Sequence, residues 1–194
     1  MKSKIIVIEG YPASGKSTFA RTLSRALNVP NLQKDALKIA ICKTISVTNI
    51  EESRIYSAVT FDAMMYVVER QMETNSPIII EGNFVPVGIK EIDESLIIKT
   101  LIEEYKYHSL TFKLTGDTGV LHKRYVERDK LPERGGVNAF YRDVSYTEFD
   151  KICHNLDIFN VGGKVIRIDT TDFDLVHFDS HIETARSFLL GIPV

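Results

Sequence analysis

The sequence predicts an α/β fold in which helices cover both faces of a parallel β-sheet. Three observations lead to this prediction: short strand-like runs alternate with longer helical patterns, no repeat or low-complexity linker divides the chain, and a glycine-rich loop joins the first strand to the first helix. Alternating strands and helices form right-handed crossover units, which place the strands parallel. In such sheets ligands bind beyond the carboxyl ends of the strands, so polar residues at those ends are the candidates for function.

The strands are predicted from short apolar runs rich in β-branched residues. Residues 78–80 and 165–168 are so largely apolar that we expect both strands to be covered on both faces. The five predicted strands are residues 4–9, 30–33, 77–81, 108–114 and 164–169.

The helices are predicted from apolar residues that recur at steps of three and four. Phe19 and Leu23 follow this rule behind the first strand, and Ile182, Ala185 and Leu189 form one stripe near the end of the chain. The predicted helices are residues 16–27, 35–44, 53–74, 90–105, 117–130, 144–155 and 178–190.

The composition is that of an ordinary soluble chain of 194 residues, which we interpret as one domain, residues 1–194. The 24 basic residues nearly balance the 26 acidic ones, and the net charge of −2 does not indicate binding to nucleic acid or anionic lipid. Cys42 and Cys153 lie far apart, outside any metal-binding spacing, and read as reduced thiols. No apolar run approaches the roughly 18 residues that span a bilayer, so we expect a cytoplasmic protein.

Residues 10–17 read Gly-Tyr-Pro-Ala-Ser-Gly-Lys-Ser, the G-x-x-x-x-G-K-S pattern of a phosphate-binding loop. A strand, a glycine loop and a helix N-terminus point backbone N–H groups and the positive end of a helix dipole at one place, which suits a polyphosphate. Gly10 and Gly15 are expected to leave room for phosphate oxygens. Lys16, which we expect to face solvent, supplies charge to the β- and γ-phosphates, and the Ser17 hydroxyl is a predicted Mg²⁺ ligand. The predicted nucleotide contacts in this loop are Gly10, Ala13, Ser14, Gly15, Lys16, Ser17 and Thr18.

Asp35 follows the second predicted strand, at the same edge of the sheet as the loop. A carboxylate there could take the proton of a hydroxyl that attacks the γ-phosphate. An alternative interpretation makes Asp35 the N-cap of the following helix, and the two roles are compatible.

The third predicted strand ends at Glu81, beside the strand that leads into the loop. An acid in this place can hold Mg²⁺, usually through water, or hydrogen-bond a substrate; alternatively it only pairs with a lysine at the sheet edge. Asn83 could donate to a substrate oxygen, or only form a turn after Gly82.

Residues 117–140 are predicted to form a lid. Arg124 and Arg128 are four residues apart and share one helix face, and Arg134 follows in a segment loosened by Pro132 and two glycines. Guanidinium groups on a movable flap can clamp a triphosphate and offset the charge of the transferring group, so we expect Arg124 and Arg128 to bind nucleotide and to take part in catalysis. The alternative is a solvated helix face on which acidic neighbours pair with these arginines.

Two further regions carry weaker signals. The polar loop after the fifth strand, residues 168–172, could cradle an adenine through its backbone groups. Six polar residues could line a pocket for the phosphate acceptor, although each is also typical of a surface or half-buried position. They are Lys38, Arg54, Tyr56, Arg70, Tyr141 and Arg142.

The phosphate loop, Asp35, the strand end at Glu81 and the R-x-x-x-R pair of Arg124 and Arg128 resemble the P-loop kinases, and especially small-molecule kinases of the chloramphenicol-phosphotransferase and zeta-toxin type. The resemblance touches nearly the whole chain. It implies a three-layer α/β/α P-loop NTPase fold, with a five-stranded parallel sheet in the order 2-3-1-4-5 and a mobile lid, and it implies ATP and Mg²⁺ as cofactors. The implied roles are phosphate and Mg²⁺ binding for Lys16 and Ser17, contact with the acceptor hydroxyl for Asp35, and nucleotide binding for Arg124 and Arg128.

The chain departs from this family in two places. Relatives often carry Asp-x-x-Arg where this chain has Asp35 and Lys38, and a lysine lacks the two-pronged grip of arginine on an anionic acceptor. Many relatives also have a histidine-containing segment after the lid arginines, where residues 135–138 read Gly-Gly-Val-Asn.

Three functions are compatible with these motifs. The first is a kinase that moves the γ-phosphate of ATP to a hydroxyl of a small molecule. The second is a switch or assembly ATPase, but the chain lacks the Asn-Lys-x-Asp and Asp-x-x-Gly motifs of GTPases, and we do not expect it to include the second helical subdomain of a motor-type ATPase. The third is a nucleotide or polynucleotide-end kinase, and the polynucleotide version has little support without a basic stripe.

Overall fold

The computed structural model describes residues 3–45, 47–84, 93–129 and 144–193. Within these ranges, strands and helices alternate as the sequence predicts. The strands are β1 (Lys4–Gly10), β2 (Asn31–Gln33), β3 (Ile78–Glu81), β4 (His108–Thr115) and β5 (Lys164–Asp169). The helices are α1 (Lys16–Leu27), α2 (Lys34–Ile41), α3 (Ile50–Glu73), α4 (Glu94–Glu104), α5 (Thr118–Asp129), α6 (Tyr146–Leu156) and α7 (Asp179–Leu190), with a short 3₁₀ turn at Phe173–Leu175.

The five strands form one parallel sheet in the order β2-β3-β1-β4-β5. The α/β fold class and the predicted strand order are confirmed. Since all strands run the same way, their carboxyl ends meet at one edge: Glu81 at the end of β3 is paired with Ile8 of β1 and with Gln33 of β2. This edge is where the phosphate loop leaves β1.

Burial of the strands follows their place in the sheet. Every residue of β1 and β3 is buried, because each strand has neighbours on both sides and helices over both faces. The prediction that β5 is covered in the same way is wrong. It pairs only with β4, at the edge of the sheet, and Ile168 is its one buried residue, while Val165 is 43% exposed. An apolar run alone does not reveal that a strand has a single partner.

The sheet divides the core into two layers. On one face, side chains of α3 and α4 such as Phe61 and Ile98 pack on β1 and β3. On the other face, α1 and α7 contribute residues such as Phe19 and Ala185. A third, small cluster lies under α5 and α6. In the described part of the chain, no helix combines the length and the apolar character that crossing a membrane would require.

The predicted helix boundaries shift by a few residues where capping groups decide them. Helix α3 begins at Ile50, three residues before the predicted start, because the Asn49 side chain accepts a hydrogen bond of 2.9 Å from the backbone N–H of Glu52. Helix α6 begins after a capping box in which the Ser145 and Glu148 side chains each accept from the other residue's backbone N–H.

Candidate active site

The phosphate loop connects β1 to α1 with a backbone that requires glycine at two places. Gly10 has φ 138° and Gly15 has φ 85°. A Cβ at Gly10 would lie 2.0 Å from the Leu114 carbonyl oxygen of β4, and one at Gly15 would lie 2.1 Å from the ring of Phe173. In this structure it is therefore close packing by the neighbouring strand and ring that excludes a side chain, and the predicted approach of phosphate oxygens stays a prediction.

Lys16 is the first residue of α1, and its place differs from the expectation. Its side chain is buried, with the residue 7% exposed, and its ammonium donates a hydrogen bond of 2.7 Å to the carbonyl oxygen of Tyr11. The prediction that Lys16 faces solvent is wrong, because the loop folds its own backbone carbonyl over the ammonium group. Burial lowers the pKa of Lys16, while the nearby carboxylates of Glu81 and Glu9 act to raise it.

The two predicted Mg²⁺ ligands are in direct contact. The Ser17 hydroxyl donates a hydrogen bond of 3.1 Å to Oε2 of Glu81. Glu81 is 4% exposed, and burial raises the pKa of its carboxyl to about 7 against the opposing effect of Lys16. The Gln33 amide donates to the Ser17 backbone carbonyl at 2.9 Å, so the end of β2 also holds this part of α1.

A hydroxyl and a carboxylate are oxygen donors of the kind that Mg²⁺ prefers, so the residues present fit this ion. Across the described ranges, no group of three or more His, Cys, Asp or Glu side chains could hold a metal ion by itself. A Mg²⁺ ion at Ser17 and Glu81 would therefore complete its coordination with phosphate oxygens and water, as is usual for this ion.

Asp35 lies in the first turn of α2 and is exposed. Its negative charge opposes the lowering of the Lys16 pKa and adds to the rise of the Glu81 pKa that burial causes, which places Asp35 within electrostatic range of the phosphate loop. The alternative role as N-cap is wrong, because α2 begins at Lys34 and Gln33 occupies the cap position without a side-chain cap bond. An exposed carboxylate at this edge is accessible to an acceptor molecule.

The two arginines of α5 make different contacts. Arg124 donates from Nη1 to the Thr170 carbonyl and from Nη2 to the Thr171 carbonyl, both at 2.5 Å. Arg124 therefore binds the backbone of the loop after β5, which the sequence indicates as a possible adenine-binding loop. The guanidinium of Arg128 lies 5.1 Å from the centre of the Tyr125 ring, and its charge contributes to lowering the pKa of Lys16. Of the two arginines, Arg128 is therefore the one whose charge acts on Lys16 in the phosphate loop.

Other predicted positions separate into buried and surface sites. Lys38 is 7% exposed and donates to the Ser53 hydroxyl at 2.8 Å, so it is more buried than the surface interpretation predicts. Arg70 lies on the surface of α3, where it bonds to Glu69 and Glu73. Several predictions fall outside the described residues. They are Arg134, the segment 135–138, Tyr141, Arg142 and the second half of the lid.

Sequence reasoning missed a buried charged pair directly beneath the loop. Glu9 of β1 and Lys113 of β4 are register partners, 0% and 1% exposed, with Nζ of Lys113 3.7 Å from Oε2 of Glu9. Burial raises the pKa of Glu9 to about 7. A charged residue near the end of each of two apolar strands was the available signal, because strands covered on both faces seldom carry unpaired charge.

A second missed pair lies beside Asp35. Nζ of Lys34 lies 2.5 Å from Oε1 and 2.6 Å from Oε2 of Glu94, and both residues are buried. The Lys34 ammonium also stands 5.3 Å from the centre of the Phe61 ring. This pair joins the starts of α2 and α4, so it fixes the helix that carries Asp35.

Comparison with known proteins agrees with the fold. A family model described as an AAA domain matches residues 6–141. The chain belongs to this family. The matched span includes the phosphate loop, Asp35, Glu81 and both arginines of α5. No curated protein matches the sequence.

The fold is that of P-loop kinases. A protein from Chloroflexus aurantiacus J-10-fl, described as a candidate kinase, superposes with a TM-score of 0.84 at 20% identity, over 96% of this chain and 98% of that one. A shikimate kinase from Acinetobacter baumannii, in complex with shikimate, gives 0.57 at 16% identity over 97% and 93%. A gluconokinase from Sinorhizobium meliloti 1021 gives 0.53 at 14% identity over 97% and 92%.

Proposed function

We propose that this protein is an ATP-dependent kinase that transfers the γ-phosphate to a hydroxyl group of a small molecule. The observation that carries the proposal is the contact between Ser17 and Glu81 at the start of α1, within electrostatic range of both Lys16 and Asp35. Phosphoryl transfer needs an amine that binds phosphate, ligands for Mg²⁺ and a carboxylate that the acceptor can reach, and this edge of the sheet has all three. The similar folds of a shikimate kinase and a gluconokinase support a small-molecule acceptor.

In this proposal the loop residues 10–18 and the helix dipole of α1 bind the triphosphate. Lys16 keeps its hydrogen bond to the Tyr11 carbonyl and directs its remaining N–H donors at phosphate oxygens, whose negative charge is a strong partner for a buried ammonium. Mg²⁺, when bound at Ser17 and Glu81, neutralises charge on the phosphates. Arg128 offsets the charge that develops on the transferring group.

Asp35 is the proposed general base. As the acceptor oxygen forms its bond to the γ-phosphorus, the acceptor proton passes to the Asp35 carboxylate, and the bond from the γ-phosphorus to the bridging oxygen breaks to release ADP. The exposed position of Asp35 lets acceptors reach it, and the Lys34–Glu94 pair holds the start of α2 in place.

The test is a transfer assay with γ-labelled ATP against a panel of hydroxyl compounds that includes sugars, hydroxy acids and nucleosides. The wild-type protein should consume ATP slowly alone and faster with its acceptor. Asp35→Asn should bind MgATP as the wild type does but transfer phosphate roughly 10²-fold more slowly or worse, the usual scale for loss of a general base. Lys16→Ala should lose ATP binding or turnover, so its signal defines the background of the assay.

Asp179→Asn is the matched control, because Asp179 is also an exposed acid in the first turn of a helix. The control separates loss of a base from loss of a favourable charge at a helix N-terminus. Transfer at the wild-type rate in Asp35→Asn would remove Asp35 from the mechanism. ATP consumption that responds only to a protein partner, and to no compound in the panel, would favour a switch instead.

A further inference from the structure

Tyr11, the second residue of the phosphate loop, is bound at three points. Its backbone N–H donates to the Leu114 carbonyl of β4 at 2.9 Å, and its own carbonyl accepts the Lys16 ammonium at 2.7 Å. Its hydroxyl donates to Oδ2 of Asp157 at 2.9 Å. The residue is 8% exposed and belongs to the small buried cluster that includes Leu121 of α5 and Phe149 of α6. The group that holds Lys16 is thus fixed by its own side chain.

Asp157 follows the last residue of α6 and is itself held in place by Lys113. The ammonium of Lys113 donates to the backbone carbonyls of Leu156 at 2.7 Å and of Asp157 at 2.9 Å. Carbonyls at a helix C-terminus carry partial negative charge and lack helical partners, so a buried ammonium is a suitable partner for them. The same ammonium stands 3.7 Å from Glu9, which directly precedes the loop.

The loop is therefore joined to the end of α6 by two connections that meet at Asp157, whose Oδ1 also lies 3.9 Å from Nζ of Lys113 and 3.9 Å from Nη1 of Arg167. One runs from Tyr11 through its hydroxyl to Asp157, and the other runs from Glu9 through Lys113 to the α6 carbonyls. Residues 146 places apart in the sequence meet here, so no local pattern would place Asp157 at the phosphate loop.

We propose that Tyr11 and Asp157 are positioning residues for Lys16: the hydrogen bond between them holds the Tyr11 carbonyl, and with it the lysine, in the orientation that receives the triphosphate. The proposal deepens the proposed function and rests on it, because it needs the loop to bind ATP. The physical basis is preorganisation. A loop whose carbonyl is fixed loses less conformational freedom when the nucleotide binds than one whose side-chain anchor is missing.

The experiment measures MgATP affinity by displacement of a fluorescent ATP analogue, together with the thermal midpoint of unfolding, for a small set of variants. Tyr11→Phe and Asp157→Ala should each weaken MgATP binding by about fivefold, which is the net effect of one typical hydrogen bond. The double variant should bind no more weakly than Asp157→Ala alone, because that substitution already removes the bond that Tyr11→Phe removes. Asp157→Asn, which keeps an oxygen acceptor, should restore most of the affinity.

Tyr105→Phe is the matched control. The Tyr105 hydroxyl donates to Glu69 at 3.0 Å, the same kind of bond between α4 and α3, away from the loop. It should leave MgATP affinity unchanged, whatever it does to the thermal midpoint.

Wild-type affinity in both Tyr11→Phe and Asp157→Ala would overturn the proposal. So would additive losses in the double variant, or equal losses in Asp157→Ala and Asp157→Asn. If Tyr11→Phe does not fold, the comparison of the two Asp157 variants still decides. A wild-type protein that binds no MgATP would instead overturn the proposed function, and the inference with it.

Discussion

Glu9 offers a test of how the buried charges under the phosphate loop affect stability. It is fully buried, and neither of its carboxylate oxygens accepts a hydrogen bond of good geometry from the described residues. The Lys113 ammonium lies 3.7 Å from Oε2 of Glu9 but donates its hydrogen bonds to the backbone carbonyls of Leu156 and Asp157. Burial is the main reason that the pKa of Glu9 rises from 4.5 to about 7, against the opposing effects of Lys113 and Lys16.

The sign of the pH dependence follows from this direction. Because the folded-state pKa is raised, the folded protein binds the Glu9 proton more tightly than the unfolded chain. The resulting stability is fully present below pH 4.5 and is lost as the pH rises through about 7. The gap between the two pKa values corresponds to about 3 kcal/mol, of which most is lost between pH 5 and pH 8.

Glu9→Gln replaces the carboxyl with a neutral group of the same shape and should remove this dependence. The free energy of unfolding of the variant, minus that of the wild type, should increase by about 2 to 3 kcal/mol between pH 5 and pH 8. Urea unfolding at a series of pH values measures this difference directly. The test depends on how this difference in the free energy of unfolding changes with pH. A change in stability that is the same at every pH does not affect the conclusion.

Glu103→Gln is the matched control, since that side chain is 67% exposed and its ion pair with Lys99 spans 3.8 Å on the surface of α4. Its difference from the wild type should stay nearly flat over the same pH range. A flat difference for Glu9→Gln as well would refute the reasoning. It would mean that Glu9 is as well stabilised in its charged form inside the protein as in water.

Two further substitutions test the loop and α5. Arg128→Ala should slow phosphate transfer by roughly 10²-fold while MgATP affinity falls much less, because we propose that this arginine acts mainly in the transition state. Single-turnover rates measure the transfer step, and equilibrium binding constants measure the affinity. Equal losses in both would mean that Arg128 acts in ground-state binding. Gly10→Ala should lower the free energy of unfolding by about 3 kcal/mol or more, since its Cβ would meet the Leu114 carbonyl at 2.0 Å. Gly162→Ala, which shares a positive φ but has open space around it, should lose only about 1 kcal/mol in the same urea experiment, and equal losses would contradict the packing argument.

The fold was largely predictable because its signals are local. The positions of the strands and helices follow from alternation and periodicity, the strand order follows from the resemblance to P-loop kinases, and the structure confirms both. Two predictions were wrong for different reasons. Strand β5 is apolar but lies at the sheet edge, because β4 is the one strand it pairs with in the described sheet. Helix α3 starts earlier than predicted because of a local cap at Asn49, which an apolar pattern does not register.

The candidate site divides in the same way. The residue types and their spacing pointed to Lys16, Ser17, Asp35, Glu81 and the α5 arginines, and the structure gathers most of them at one sheet edge. Their individual states were not predictable. Lys16 is buried on its own loop, and Arg124 holds the backbone after β5, because these contacts depend on chain segments far away in the sequence.

By itself, the sequence determined that a glycine loop with a lysine and a serine would sit between a buried strand and a helix, since that arrangement depends on residues within one local segment. Only the tertiary structure decided that Glu9 would face Lys113 and that Tyr11 would reach Asp157. The physical reason is that burial and electrostatic partners are set by which distant segments pack together, and packing joins α6 to the loop across more than a hundred residues of chain.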